Sequence, residues 1–286
     1  MWNMWKLTII KSCLIINRVK LTIRFNLLEN LLVNNGGNMR FFLAKDTKEV
    51  NTIAYNLIRA EILRNPKIVL GLATGSTPLG LYKLMIEDCK RGNVSYKDVK
   101  TINLDEYIGL PDNHPQSYHT FMYENLFKDI DIDLKNTKIP NGNAKDLAKE
   151  CADYTAYIDK YTPDIQLLGI GSNGHIAFNE PGTSFDATTH VVDLKESTIK
   201  DNSRFFDSID DVPKQAITMG IADIMKAKMI ILLATGTSKT DAVYNAVLGP
   251  ISEDCPASAL QLHNNVVVVA DPNASFMVRT KGVNPQ

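Results

Sequence analysis

Residues 67–80 read "KIVLGLATGSTPLG". The run from Ile68 to Ala73 is short, apolar and unbroken, as expected of a strand covered on both faces. Thr74 to Ser76 supply small turn residues. Thr77 then predicts a helix N-cap, with Pro78 at the first helical position, where its missing N–H costs nothing. A buried strand that passes through a tight turn into a helix is half of a parallel βα unit. The fold therefore depends on whether the unit recurs.

It recurs along the chain. "MRFFLAK" (39–45) is a short strand, and Asp46 with Glu49 forms a capping box for a helix that Asn65-Pro66 ends near Arg64. The opening unit's own helix runs to about Arg91, with Gly92 beyond it. "VKTINL" (99–104) is a strand, and "SYHTFMYENLF" (117–127) a helix capped by Ser117. A helix over 146–161 feeds the strand "DIQLLGIG" (164–171). "AITM" (216–219) reads as a strand and "IADIMKA" (221–227) as a helix. "MIILLATG" (229–236) is a strand, Ser238 to about Leu248 a helix, and "NNVVVVAD" (264–271) a strand. Alternation of this kind predicts an α/β fold: a three-layer, doubly wound, mostly parallel sheet with helices on both faces, Rossmann-like in plan. Ligands in such sheets bind beyond the carboxyl ends of the strands.

The totals fit a globular chain. Its 286 residues are 44% apolar and 22% charged, with a formal net charge of −1, so no basic footprint points to nucleic acid. Cys13, Cys89, Cys151 and Cys255 form no CxxC pair, and reduced thiols in a cytoplasmic protein are expected. Residues 1–38 differ from the rest. They carry Lys6, Lys11, Arg18, Lys20 and Arg24 against Glu29, for a net +4, which leaves −5 for 39–286. Their apolar runs are too interrupted for a membrane span or a signal peptide. "NNGGNM" (34–39) is what a purine-rich ribosome-binding sequence ahead of a start codon would encode. Residues 1–38 are thus expected to be a poorly ordered extension, a translated leader with Met39 as the true start, rather than a basic surface-binding arm. Residues 39–286 are expected to form one catalytic α/β domain. Intact mass of the natively expressed protein tests the start.

Four strand-to-helix loops hold the unusual residues. In "ATGSTPLG" (73–80) the backbone at Gly75 and the hydroxyls of Thr74, Ser76 and Thr77 suit a phosphate, although a plain capped turn reads the same way. "ATGTSKTDA" (234–242) repeats the design and adds Lys239, a cation that opposes the dipole of its helix unless an anion is shared. In "NLDEYIGL" (103–110), Asp105 stands at a strand's carboxyl end, where burial would make it a base. In "GIGSNGHIAFNEPG" (169–182), His175 sits in a glycine turn with Glu180 near enough to orient it. No metal motif or nucleophile elbow accompanies them. The set suggests proton transfer on a phosphorylated small molecule.

The stretches "GLATGSTPLGLYK", "NLDEYIGLPDNHPQSYHTFM", "GIGSNGHIAFNEPG", "NSRFFD" and "ALQLH" together resemble the glucosamine-6-phosphate deaminases, from Met39 to about residue 275. That family turns glucosamine 6-phosphate and water into fructose 6-phosphate and ammonia, without metal or organic cofactor. The resemblance implies that Asp105 moves the proton between C2 and C1, and that His175, partnered by Glu180, opens the sugar ring. It implies a phosphate clamp of Thr74, Gly75, Ser76, Thr77, Arg204 and Lys239, and a closing segment over about 194–217. A small-molecule sugar phosphate is the implied partner, with neither nucleic acid nor membrane.

Three departures stand out. Asn173 takes the place of an Asp found in many members, so the relay rests on Glu180. Glu180→Gln is therefore expected to lower turnover far more than Asn173→Asp changes it. His190 and Val192 stand where allosteric hexameric members carry Arg and Lys, and the chain stops at Gln286, short of their C-terminal tail. These differences argue for a monomer or small homo-oligomer with hyperbolic kinetics and against an allosteric hexamer. Two alternatives remain: a 6-phosphogluconolactonase-like hydrolase, which has no need of Asp105, and a non-catalytic sugar-phosphate sensor.

Overall fold

The computed structural model describes residues 31–32, 39–203 and 206–281. Apart from Leu31–Leu32, the segment 1–38 lies outside the described residues, and so does Arg204. The strands of the larger sheet are β1 (Leu31–Leu32), β2 (Met39–Leu43), β3 (Val69–Leu72), β4 (Lys100–Asn103), β6 (Thr137–Lys138), β7 (Ile165–Leu168), β10 (Ile230–Ala234) and β11 (Val266–Ala270). A smaller sheet holds β5 (Asp105–Tyr107), β8 (His190–Asp193) and β9 (Gln215–Thr218). The helices are α1 (Thr47–Arg64), α2 (Leu79–Lys90), α3 (Tyr118–Asn125), α4 (Leu147–Lys160), α5 (Glu196–Asn202), α6 (Ile221–Ile224), α7 (Thr240–Leu248) and α8 (Phe276–Lys281).

The larger sheet has the order β1-β2-β11-β10-β7-β3-β4-β6, and every pairing in it is parallel except β1 with β2. Its central strands are buried at every position, β3, β7, β10 and β11 alike, which is why they read as unbroken apolar runs. One face packs on α4 and α7 through Tyr154, Ile158, Val243 and Val247. The other packs on α1, α2 and α3 through Ile58, Ile62, Tyr82 and Met122. These are the three expected layers.

Strand order places the site. From β3 the chain winds outward to β4 and β6, then returns to lay β7 on the other side of β3 and winds away to β10 and β11. Winding reverses between β3 and β7, so the loops leaving these two strands splay apart and open a crevice at their carboxyl ends.

The structure corrects two local expectations. Thr77 does not cap α2: Pro78 is the N-cap residue, helical in φ and ψ, with no side-chain cap bond. By contrast Asp46 and Ser117 each accept from the third residue beyond them, as expected, and Asp146, read from the sequence as the first helical residue, caps its helix in the same way. "AITM" is β9, but it belongs to the antiparallel sheet, between β5 and β8. The helix after it is a single turn, because Ile221–Ile224 only redirects the chain into β10.

Candidate active site

A cavity of about 250 Å³ occupies the crevice, and Thr74, Gly75, Ser76, Thr77, Asp105, His175 and Lys239 all line it. Four loops distant in sequence therefore meet at one rim of the sheet. Gly75 has φ +86, a left-handed conformation that an L side chain adopts only under strain, and a Cβ added there would meet nothing within 4 Å. The glycine is there for the backbone turn. Its result is to present the loop's small residues to the cavity.

The fourth loop is less like the first than its letters suggest. Gly236 repeats the left-handed turn with φ +88, but its N–H donates to the Asp271 carboxylate at 3.0 and 3.2 Å. The Thr240 hydroxyl donates to the Thr237 and Asn273 carbonyls. Among the described residues, this loop reaches the cavity lining through Lys239, which sits in a 3-10 turn just ahead of α7.

Asp105 opens β5, pairs in register with Thr218 of β9 and is 6% exposed. Burial, and secondarily the charge of Glu106, push its carboxyl from 3.8 up to about 8. Glu106 itself works elsewhere. It is 2% exposed and accepts from the backbone N–H groups of Tyr107, Tyr118 and His119. The His119 ring adds a contact at 2.8 Å. This carboxylate ties β5 to the first turn of α3, where a negative charge meets the helix N–H groups.

His175 follows Gly174, whose φ of +88 makes the turn. The imidazole lies against Gly171: a Cβ built there would come within 2.4–2.5 Å of three ring atoms, so only glycine leaves room. Nδ1 stands 3.4 Å from Glu180 Oε1, an ion-pair distance without the alignment of a full hydrogen bond. Thr198 donates its hydroxyl to Glu180 Oε1 at 2.7 Å, and Asn173 Nδ2 donates to Oε2 at 2.7 Å. Burial opposes ionisation of Glu180, but the contact with His175 and the hydrogen bonds from Thr198 and Asn173 prevail and hold its carboxyl down at about 2. Glu180 is thus a fixed anion behind the ring. Asn173 also accepts the His175 backbone N–H at 3.2 Å, so it braces both partners.

Sequence reasoning did not find Thr198, Tyr118 or Phe178. Thr198 reaches Glu180 from α5, and nothing in its local sequence marks it. Tyr118 lines the cavity and shares hydrogen bonds with Thr74 and Tyr107, and its ring stacks on Phe178 at 6.3 Å and 9°. It thereby joins the first loop, the Asp105 strand and the His175 loop. Its place in "SYHTF" beside the Ser117 cap was the available signal.

Comparison with known proteins places the chain in a family. Residues 47–269 match the family described as glucosamine-6-phosphate isomerases/6-phosphogluconolactonase. A glucosamine-6-phosphate deaminase of Clostridium novyi (strain NT) is 50% identical over 238 residues, covering 83% of this chain and 99% of its own. One from Clostridium perfringens (strain ATCC 13124) is 48% identical over 242 residues, covering 84% and 100%. A solved structure of a monomeric glucosamine-6-phosphate deaminase superposes with a TM-score of 0.81 at 48% identity, over 83% of this chain and 99% of that one. The 6-phosphogluconolactonase from Trypanosoma cruzi shares the fold, with a TM-score of 0.67 at 19% identity over 82% and 95%. The chain belongs to the glucosamine-6-phosphate isomerase/6-phosphogluconolactonase family.

Proposed function

We propose that the protein converts glucosamine 6-phosphate and water to fructose 6-phosphate and ammonia. The observation that carries this reading is the buried Asp105 carboxyl facing the same cavity as the His175–Glu180 pair. A lactone hydrolase needs no base of this kind at the end of β4. A sensor would have no use for a carboxyl raised to about 8 by burial.

Each group has a step. The loop 74–77 and Lys239 hold the phosphate, and the resemblance adds Arg204 from outside the described residues. His175, with Glu180 3.4 Å from its Nδ1, protonates the ring oxygen as the C1 hydroxyl loses its proton, and the sugar opens. Asp105 takes the C2 proton and returns one to C1, so the amine-bearing carbon becomes a ketimine. Water adds to that carbon and ammonia leaves. The chain acts as a monomer in the cytoplasm with hyperbolic kinetics. His190 and Val192, on β8, lack the cations that an anionic effector would need. Among the described residues no helix is long and apolar enough to cross a membrane.

A coupled assay of ammonia release from glucosamine 6-phosphate tests the reading. Release that depends on Asp105 supports it. Hydrolysis of 6-phosphogluconolactone without ammonia release would overturn it.

A further inference from the structure

β4 carries Thr101, Ile102 and Asn103, and the chain runs on through Leu104 to Asp105. Ile102 and Leu104 both enter the core on the α4–α7 side of the sheet. Alternation along the strand then sets Thr101, Asn103 and Asp105 on the opposite face. The register agrees: Thr101 neighbours Leu70 and Asn103 neighbours Leu72, both members of the core under α1 and α2.

All three polar residues are buried, at 2%, 0% and 6% exposure. Thr101 Oγ1, Asn103 Nδ2 and Asn103 Oδ1 have no hydrogen-bond partner among the described residues. Burial and the Glu106 charge act on the Asp105 carboxyl without any hydrogen bond to it from those residues. Orphaned polar atoms in a core are rare, because each forfeits its hydration without compensation. Here they line one strand face and lead to a carboxylate. Ordered water is what native proteins use to satisfy such atoms.

We propose that Thr101 and Asn103 bind ordered internal water which donates a hydrogen bond to the Asp105 carboxylate, making Asn103 a positioning residue for the base. The Asn103 amide N–H donates to the oxygen of the water nearest Asp105, which frees a proton of that water for the carboxylate, and the Thr101 hydroxyl, two residues further along the strand face, holds the next water in line. The inference rests on Asp105 serving as the base of the proposed reaction. Other groups facing Asp105 are Glu106 and Tyr107 on β5, Tyr82 on α2, Tyr118 on α3 and Tyr154 on α4. His175 and Lys239 face it across the cavity. Burial pushes all four tyrosines up, Tyr107 to about 12, so they stay neutral while Asp105 titrates.

The test compares the pH dependence of kcat/KM in the wild type, Asn103→Leu, Thr101→Val and the double variant. A donor removed from the charged base moves the rising limb to higher pH, by about one unit. The double variant moves it no further than the larger single change, since Thr101 acts on Asp105 only through the water that Asn103 holds. Thr101→Val, which is nearly isosteric, keeps the test open if Asn103→Leu does not fold. A limb that stays put in active variants overturns the proposal. A high-resolution crystal structure of the wild type gives a second readout that needs no activity. Density for water within hydrogen-bond reach of Asn103 and Asp105 is expected, and a dry strand face overturns the proposal. A wild type that releases no ammonia removes the functional reading instead, while the density still decides whether the water site exists.

Discussion

Asp105 stands where a carboxylate is hardest to ionise, and its protonation links stability to activity. Between the ordinary value of 3.8 and about 8, the folded chain keeps a proton that the unfolded chain releases, so this residue makes stability fall as pH rises. Activity runs the other way, because the base must be ionised. The rising limb of kcat/KM is expected near pH 8, and pH–rate profiles check it. Asp105→Asn should cut turnover by about 10³-fold while raising the melting temperature at pH 8, measured by scanning calorimetry. Glu180 has the opposite sign. Its carboxyl is held at about 2, so its contribution to stability is complete above 4.5 and is lost as pH falls toward 2. Glu180→Gln removes the anion behind His175 and should lower kcat by about 10²-fold or more. Gly171→Ala would drive a methyl group into the imidazole. Its expected signature is a fall in kcat with little change in KM, because the loops proposed to hold the phosphate are untouched.

Caps and strand ends show what could be read in advance. Asp46 and Ser117 act between near neighbours in sequence, so their helix starts were legible from the letters alone. Ser117→Ala should cost about 1 kcal/mol, seen as a lower midpoint in denaturant titration. The loss should extend to activity, since α3 carries Tyr118 into the cavity. What escaped prediction depends on contacts between segments far apart in the chain. Gly236 gives its N–H to Asp271, 35 residues on, and nothing within "ATGTSKTDA" announces that partner. "AITM" has the apolar run of a buried strand, and periodicity does not say whether its neighbours run parallel or antiparallel. The candidate residues along the loops were legible because small, hydroxyl and titratable side chains at strand ends are unusual. Thr198 was not, because it reaches Glu180 from a helix 18 residues further along the chain that carries no motif of its own.

The parallel sheet and its three layers followed from strand–helix alternation, but the strand order did not, since local pattern does not encode which strand lies beside β3. That order matters most, because it places the crevice between β3 and β7. The proposed monomer makes a separate prediction: sedimentation of the full 286-residue chain should give a single species near its 31.8 kDa, and N-acetylglucosamine 6-phosphate should leave the rate curve hyperbolic. The smaller sheet adds a constraint of its own. Thr218 pairs with Asp105 in register, and its hydroxyl accepts the Phe178 N–H at 3.1 Å, three residues beyond His175. One fully buried threonine thus fastens the proposed base and the turn that carries His175 to a common mount. The smaller sheet thus sets the spacing of that pair, so accommodating a larger sugar would fall to the loops proposed to hold the phosphate.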